Sequence, residues 1–234
     1  SAWPDRPDAK IEPAILLGQE YTGESSVDKR MRLGATIAKN GADAALIFAP
    51  DSVSWLLNIR GTDVPKLPLV QSFAMLHTSG EVTLFVHPQR VPAGFVEHVG
   101  DGVRVIDESQ AETHLAHYCD KTVLADPAAA NAWTQLVLQR CGATLVAAQD
   151  PVSLAKACKN ATEIQGARDA HIRDAVAEVR FLAWLDAEVA AGRLHNEAEL
   201  ADKLQQCRAL GEYFQGLSFD TISATGGNAS MCHY

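Results

Sequence analysis

A handful of residues in this chain could do chemistry by type and position. His233 stands next to the last residue, just after the polar glycine turn Thr225-Gly226-Gly227-Asn228. A histidine can gain or lose a proton near neutral pH and can steady charge that develops on a reacting group. Its ordinary reading is a packed or edge residue on an apolar strand. Arg60 follows the tryptophan-bearing stretch Trp55-Leu56-Leu57 and precedes Gly61. Its guanidinium suits a carboxylate, either across a domain interface or on a peptide substrate. The structural alternative is a salt bridge to nearby Asp63. His114-x-x-His117-x-Cys119 puts two imidazoles on one helix face, but no second ligand pair stands at a metal-binding spacing. The Thr225–Asn228 turn lacks the lysine and the following helix of a phosphate loop. His171 and Arg173 sit among charges of alternating sign and read as a solvated helix face.

These groups must be positioned by elements that the pattern predicts. Ser25-Ser26 caps a helix through Lys39, and Asn40-Gly41 ends it. Residues 44–49 form a short apolar run, so a buried strand, and Asp51-Ser52 caps a short helix carrying Trp55. Residues 72–77 and 81–86 flank Thr78-Ser79-Gly80, a hairpin signal. Strands are expected at 103–107, 122–125 and 143–147, with helices from Ser109 and Pro127 between them. Strands alternating with helices predict an α/β unit with a mixed or mostly parallel sheet covered on both faces. The pattern changes near Asp150-Pro151. A long helix follows from about Ala161 to Ala191, then a second opened by the capping box Asn196-x-x-Glu199, then strand, turn and strand from Phe219. The expected division is 1–150 and 151–234. Both ends read as cuts into a longer protein.

Composition narrows the function classes. With 20 Lys and Arg against 29 Asp and Glu, net charge −9 and no basic cluster, nucleic acid is not an expected partner. No apolar run approaches the roughly 18 residues that span a bilayer. Five cysteines without a C-x-x-C pair fit a reduced, cytoplasmic setting.

The segments line up with a known family. Trp3-Pro-Asp-Arg-Pro7, Tyr21-Thr-Gly-Glu-Ser25 with Lys29, and the stretch from Trp55 to Pro65 resemble the middle domain of aminopeptidase P (Xaa-Pro aminopeptidase) proteins. Lys159-Asn160, Glu163, Gly166-x-Arg168-x-x-His171-x-Arg173-Asp174 and Phe181–Asp186 resemble the opening helix of their catalytic domain. Ser218-Phe-x-Thr-Ile-Ser223 through Gly226 to His233-Tyr234 is similar to the start of its sheet. Gly227 stands where many relatives have proline.

The resemblance implies a creatinase-type α/β middle domain followed by the N-terminal part of an α+β pita-bread catalytic domain. It implies a metallopeptidase that removes the residue preceding a penultimate proline, using two divalent metals, often manganese. It also implies a homodimer when full length. The metal ligands of such enzymes lie downstream of Tyr234, so the 234 residues alone are expected to be inactive. His233 matches the family's substrate-binding catalytic histidine, and Arg60 matches a motif that faces the substrate cleft. The alternatives are a creatinase-like metal-free hydrolase and a non-catalytic binding module of the same fold.

Overall fold

A computed structural model of the chain describes residues 10–231 together with Trp3, Asp5 and Pro7. In chain order its first elements are β1 (Ile15–Leu16), α1 (Gln19–Thr22), α2 (Ser26–Lys39), β2 (Ala44–Ile47), α3 (Pro50–Leu56) and β3 (Ile59–Arg60). There follow β4 (Ser72–His77), β5 (Val82–Val86), α4 (Phe95–Val99), β6 (Val103–Ile106), α5 (Ala111–Leu115) and β7 (Thr122–Ala125). The last are α6 (Ala132–Arg140), β8 (Thr144–Ala147), α7 (Pro151–Ala157), α8 (Ala161–Ala190) and α9 (Glu197–Ala209). The chain forms two compact units, residues 1–163 and 164–231 of the described chain, so the division falls inside α8.

The first unit is built on one mixed sheet in the order β6-β5-β4-β2-β7-β8. The pairs β2–β7, β7–β8 and β5–β6 are parallel, while β2–β4 and β4–β5 are antiparallel. Successive strand side chains point to opposite faces, which divides the apolar residues into two cores. Ala45, Ile47, Leu76 and Leu84 face one side with Ile37 of α2 and Leu56 of α3. Ala44, Leu46, Met75 and Phe85 face the other, with Leu115 of α5 and Leu138 of α6. Both faces are therefore covered, as the sequence pattern predicts.

Local details follow from residue chemistry. Ser25 caps α2 by accepting from the Asp28 N–H, and Gly80 closes the β4–β5 hairpin at φ 80°. Gly34 lets α2 lie against that hairpin, because a Cβ there would sit 2.7 Å from the Thr78 carbonyl oxygen. Arg30 is buried and donates to the carbonyls of Gly80, Val99 and Asp101 at 2.9 Å each, tying α2 to two loops. The short helix α3 differs from expectation at its start. Ala49 occupies the cap position and Pro50 opens the first turn, where its missing N–H costs nothing.

The change of pattern expected near residue 150 falls short of the observed division. α7 still belongs to the first unit, with Val152 in the same core as Ile37 and Leu56. In the second unit α9 opens with the expected capping box of Asn196 and Glu199. The strands expected from Phe219 are not there among the described residues. Phe219 and Ile222 are exposed, and the segment makes no ladder hydrogen bonds, without which an extended chain is not a sheet. Instead Glu197 accepts from the Thr225 N–H at 2.6 Å and from Asn228 Nδ2, fixing a turn that ends in a short helical stretch at Asn228–Ser230. Among the described residues no helix is long and apolar enough to cross a membrane.

Candidate functional site

The residues that the sequence singles out around Trp55 meet in a polar network inside the first unit. α2 carries Lys29 inward, and its ammonium donates to the Trp55 carbonyl at 3.1 Å and to Asn58 Oδ1 at 2.7 Å. It also lies 3.9 Å from the centre of the Trp55 ring, a cation–π contact strengthened by exclusion of water. Asn58 holds a left-handed backbone at φ 53°. Its Nδ2 donates to the Glu24 carbonyl at 2.8 Å, and its own carbonyl lies 2.9 Å from His98 Nε2. Every polar arm of Asn58 is thus used, which accounts for a strained backbone where asparagine is tolerated best.

Glu163, at the start of α8, completes the network. Its Oε1 accepts from Trp55 Nε1 at 3.1 Å, while Oε2 accepts from the Asn160 N–H at 2.9 Å. Asn160 Oδ1 in turn accepts from the Glu163 N–H, making a capping box, and Asn160 Nδ2 donates to the Thr22 carbonyl at 2.8 Å. The first turn of α8 is bolted to α1 and α3 through these contacts.

Electrostatics follow from burial. Removal from water pushes the Lys29 ammonium down to about 8, opposed by Glu163 and Glu24 and assisted by Arg60 and Arg32. Lys29 is enclosed and donates to two carbonyl oxygens, so it works as a structural cation rather than as a base. Burial also lowers the Arg60 guanidinium, and Glu163 partly offsets this through space.

Arg60 itself is half-buried on β3, which pairs antiparallel with β1. Its Nη1 donates to the Ile59 carbonyl at 2.9 Å and more weakly to the Ser54 carbonyl at 3.4 Å. The bridge to Asp63 does not form. Asp63 instead pairs with Arg90 at 2.8 Å, both side chains being buried, and accepts from the Gln71 N–H. Arg60 therefore keeps a guanidinium with no carboxylate in contact among the described residues. His233 and Tyr234 lie outside the described residues.

Reading the sequence missed Glu163 as the partner of Trp55. The signal was present, since Asn160-x-x-Glu163 repeats the capping-box pattern of Asn196-x-x-Glu199. His114 and His117 do share a face, with rings in edge contact at 5.6 Å. Among the described residues, however, no group of three or more His, Cys, Asp or Glu side chains could hold a metal ion.

Residues 5–163 match the family described as Creatinase/Prolidase N-terminal domain. The chain belongs to this family. After the creatinase/prolidase N-terminal domain, residues 165–234 match Metallopeptidase family M24, and the change from one to the other coincides with the division inside α8. A Caenorhabditis elegans protein named Xaa-Pro aminopeptidase is 33% identical over 248 residues, covering 99% of this chain and 38% of its own length. The crystal structure of X-prolyl aminopeptidase from Caenorhabditis elegans, described as a cytosolic enzyme with a di-nuclear active site, superposes with TM-score 0.89 at 32% identity. That match covers 99% of this chain and 38% of the other. An Xaa-Pro dipeptidase from Bacillus anthracis shares the fold at TM-score 0.59 and 13% identity, over 80% of this chain and 49% of its own. The chain spans about two fifths of the length of the curated relatives it matches.

Proposed function

We propose that this chain is the creatinase-type domain and the beginning of the catalytic domain of a metal-dependent aminopeptidase that hydrolyses the bond between an N-terminal residue and a penultimate proline. The observation that carries this reading is the similarity to X-prolyl aminopeptidase along 99% of the chain, with a TM-score of 0.89. A TM-score of 0.59 to the dipeptidase supports the fold alone.

The reading implies two divalent metals, with manganese as the proposed identity, which would supply a polarised carbonyl and an activated water. The described residues do not fit such a centre, so the contribution of this part is positioning. Lys29, Trp55, Asn58 and Glu163 form a hydrogen-bonded network within the first unit. In this reading His233 contacts the substrate and steadies charge at the scissile bond. Arg60, whose guanidinium meets no carboxylate in this unit, binds a peptide group at the cleft. The proposal extends to a pita-bread catalytic fold, a cytoplasmic enzyme and a homodimer.

The test is release of the N-terminal residue from an Xaa-Pro peptide by the full-length protein, with manganese and with chelator. Chelator-sensitive release that His233→Ala abolishes is the expected result. No release under either condition would overturn the assignment and favour a metal-free hydrolase or a binding module.

A further inference from the structure

The turn that joins α2 to β2 carries an asparagine that its own backbone can attack. The chain has six asparagines, and Asn40 alone precedes a glycine. Glycine has no side chain to shield its nitrogen, so Gly41 N can reach the Asn40 amide carbon and close a five-membered ring. Both residues are exposed. Gly41 stands in the left-handed region at φ 71°, with nothing within 4 Å of where a Cβ would be. The other asparagines are held differently. Asn58 is buried and precedes the β-branched Ile59. Asn131, Asn160 and Asn196 each cap a helix through Oδ1, ahead of alanine or glutamate. Asn228 donates to Glu197 and precedes alanine.

Hydrogen bonds close the turn around Asn40. Its side-chain Nδ2 donates to the Thr36 carbonyl at 3.0 Å, and the Gly41 N–H donates to the Ala38 carbonyl at 3.0 Å. The first turns the side-chain amide back along α2, away from the following nitrogen. The second engages the proton that this nitrogen must lose before it can attack. Ring closure therefore requires the last turn of α2 to open. Helix ends fray and open at far lower cost than the centres of packed elements.

We propose that Asn40 is a site of spontaneous deamidation, gated by opening of the last turn of α2. Gly41 N gives its proton to a solvent base and bonds to Asn40 Cγ. The Cγ–Nδ2 bond breaks, and the nitrogen takes a proton from water and leaves as ammonia. Water then opens the ring at either carbonyl, leaving aspartate or isoaspartate. Either product puts a carboxylate at the carboxyl end of α2, which is the negative end of its dipole. Isoaspartate also lengthens the backbone by one carbon just ahead of buried Ala42 and of Asp43. The Asp43 carbonyl accepts from the Thr78 N–H and its carboxylate from the Thr122 N–H, so the change strains the entry to β2.

Incubation of the full-length protein at mildly alkaline pH, followed by peptide mapping with mass spectrometry, tests this. Loss of the Asn40 amide is expected to outpace that at each of the other five asparagines of these residues and to quicken as pH rises. It is expected to run about tenfold faster in urea, which removes the two hydrogen bonds that hold the turn closed. Asn40→Gln would need a six-membered ring and is expected to keep its amide under the same conditions. Its side chain is exposed, and circular dichroism checks the fold. Isomerisation at Asp101-Gly102 leaves the mass unchanged, so it is not mistaken for amide loss. Amide loss at Asn40 no faster than at the other asparagines, equal rates with and without urea, or equal loss in Asn40→Gln overturns the proposal.

Discussion

The two units use their apolar residues in opposite ways. In the first, the sheet is sandwiched between helices, and residues such as Ile37, Leu46, Leu57, Met75 and Phe85 are fully enclosed. In the second, Ala177 and Cys207 are the buried apolar residues among those described, while Ile172, Val179, Leu182, Leu194 and Leu210 are more than half exposed. Ion pairs take up part of the difference, as in the Arg208 fork on Asp174 at 2.6 and 3.1 Å. Burial of apolar area is the main favourable term in folding, and surface ion pairs contribute little. The first unit therefore holds most of the buried apolar area, and the second little of it among the described residues.

The largest effect that would break this comparison comes from one residue type placed in each unit. Phe85 is enclosed and stacks on Phe73 with ring centres 4.6 Å apart, whereas Phe219 is 69% exposed. Phe85→Ala is expected to lower stability by about 3–5 kcal/mol in urea unfolding, and Phe219→Ala to stay within about 0.5 kcal/mol. Equal losses would show that the second unit has a core of its own.

Next in size is a pH effect confined to the first unit. Lys29 titrates at about 8 in the fold against an ordinary 10.5. Between those values the unfolded chain holds more protons, so stability rises as pH increases through that window. Below it the full cost applies, on the order of 3 kcal/mol. Lys29→Met removes this dependence, so the stability of the natural chain relative to Lys29→Met should rise as pH goes from 8 to 10.5. A pH-independent difference would mean that Lys29 is charged throughout.

The smallest effect sharpens the comparison at two like features. Asn160 and Asn196 both cap helices through a capping box, but Asn160 also donates to the Thr22 carbonyl. Asn196→Ala should cost about 1 kcal/mol, and Asn160→Ala about 2 kcal/mol because a second hydrogen bond goes with it. Thermal unfolding measures both, and equal losses would remove the special role of the α8 start.

Local grammar explains which elements are legible. The cap Ser25, the hairpin at Thr78–Gly80, the apolar run from Ala44 and the capping box at Asn196 depend on neighbours close in sequence, so a few consecutive residues suffice to read each one. The strands expected from Phe219 do not form because alternation supplies a propensity, whereas a strand exists only where another backbone meets it. The start of α3 differs from expectation for a smaller reason: Pro50 fits the first turn and displaces the cap to Ala49.

The chain by itself determined the α/β alternation, the two covered faces of the sheet and the family resemblance, since these rest on periodicity and on residue order. Only the tertiary structure decided that Asp63 belongs to Arg90 rather than to Arg60, that Glu163 reaches Trp55, and that Lys29 is a buried cation among carbonyls. These pairings join residues far apart in the chain, and which charge meets which is set by where the packed elements bring them.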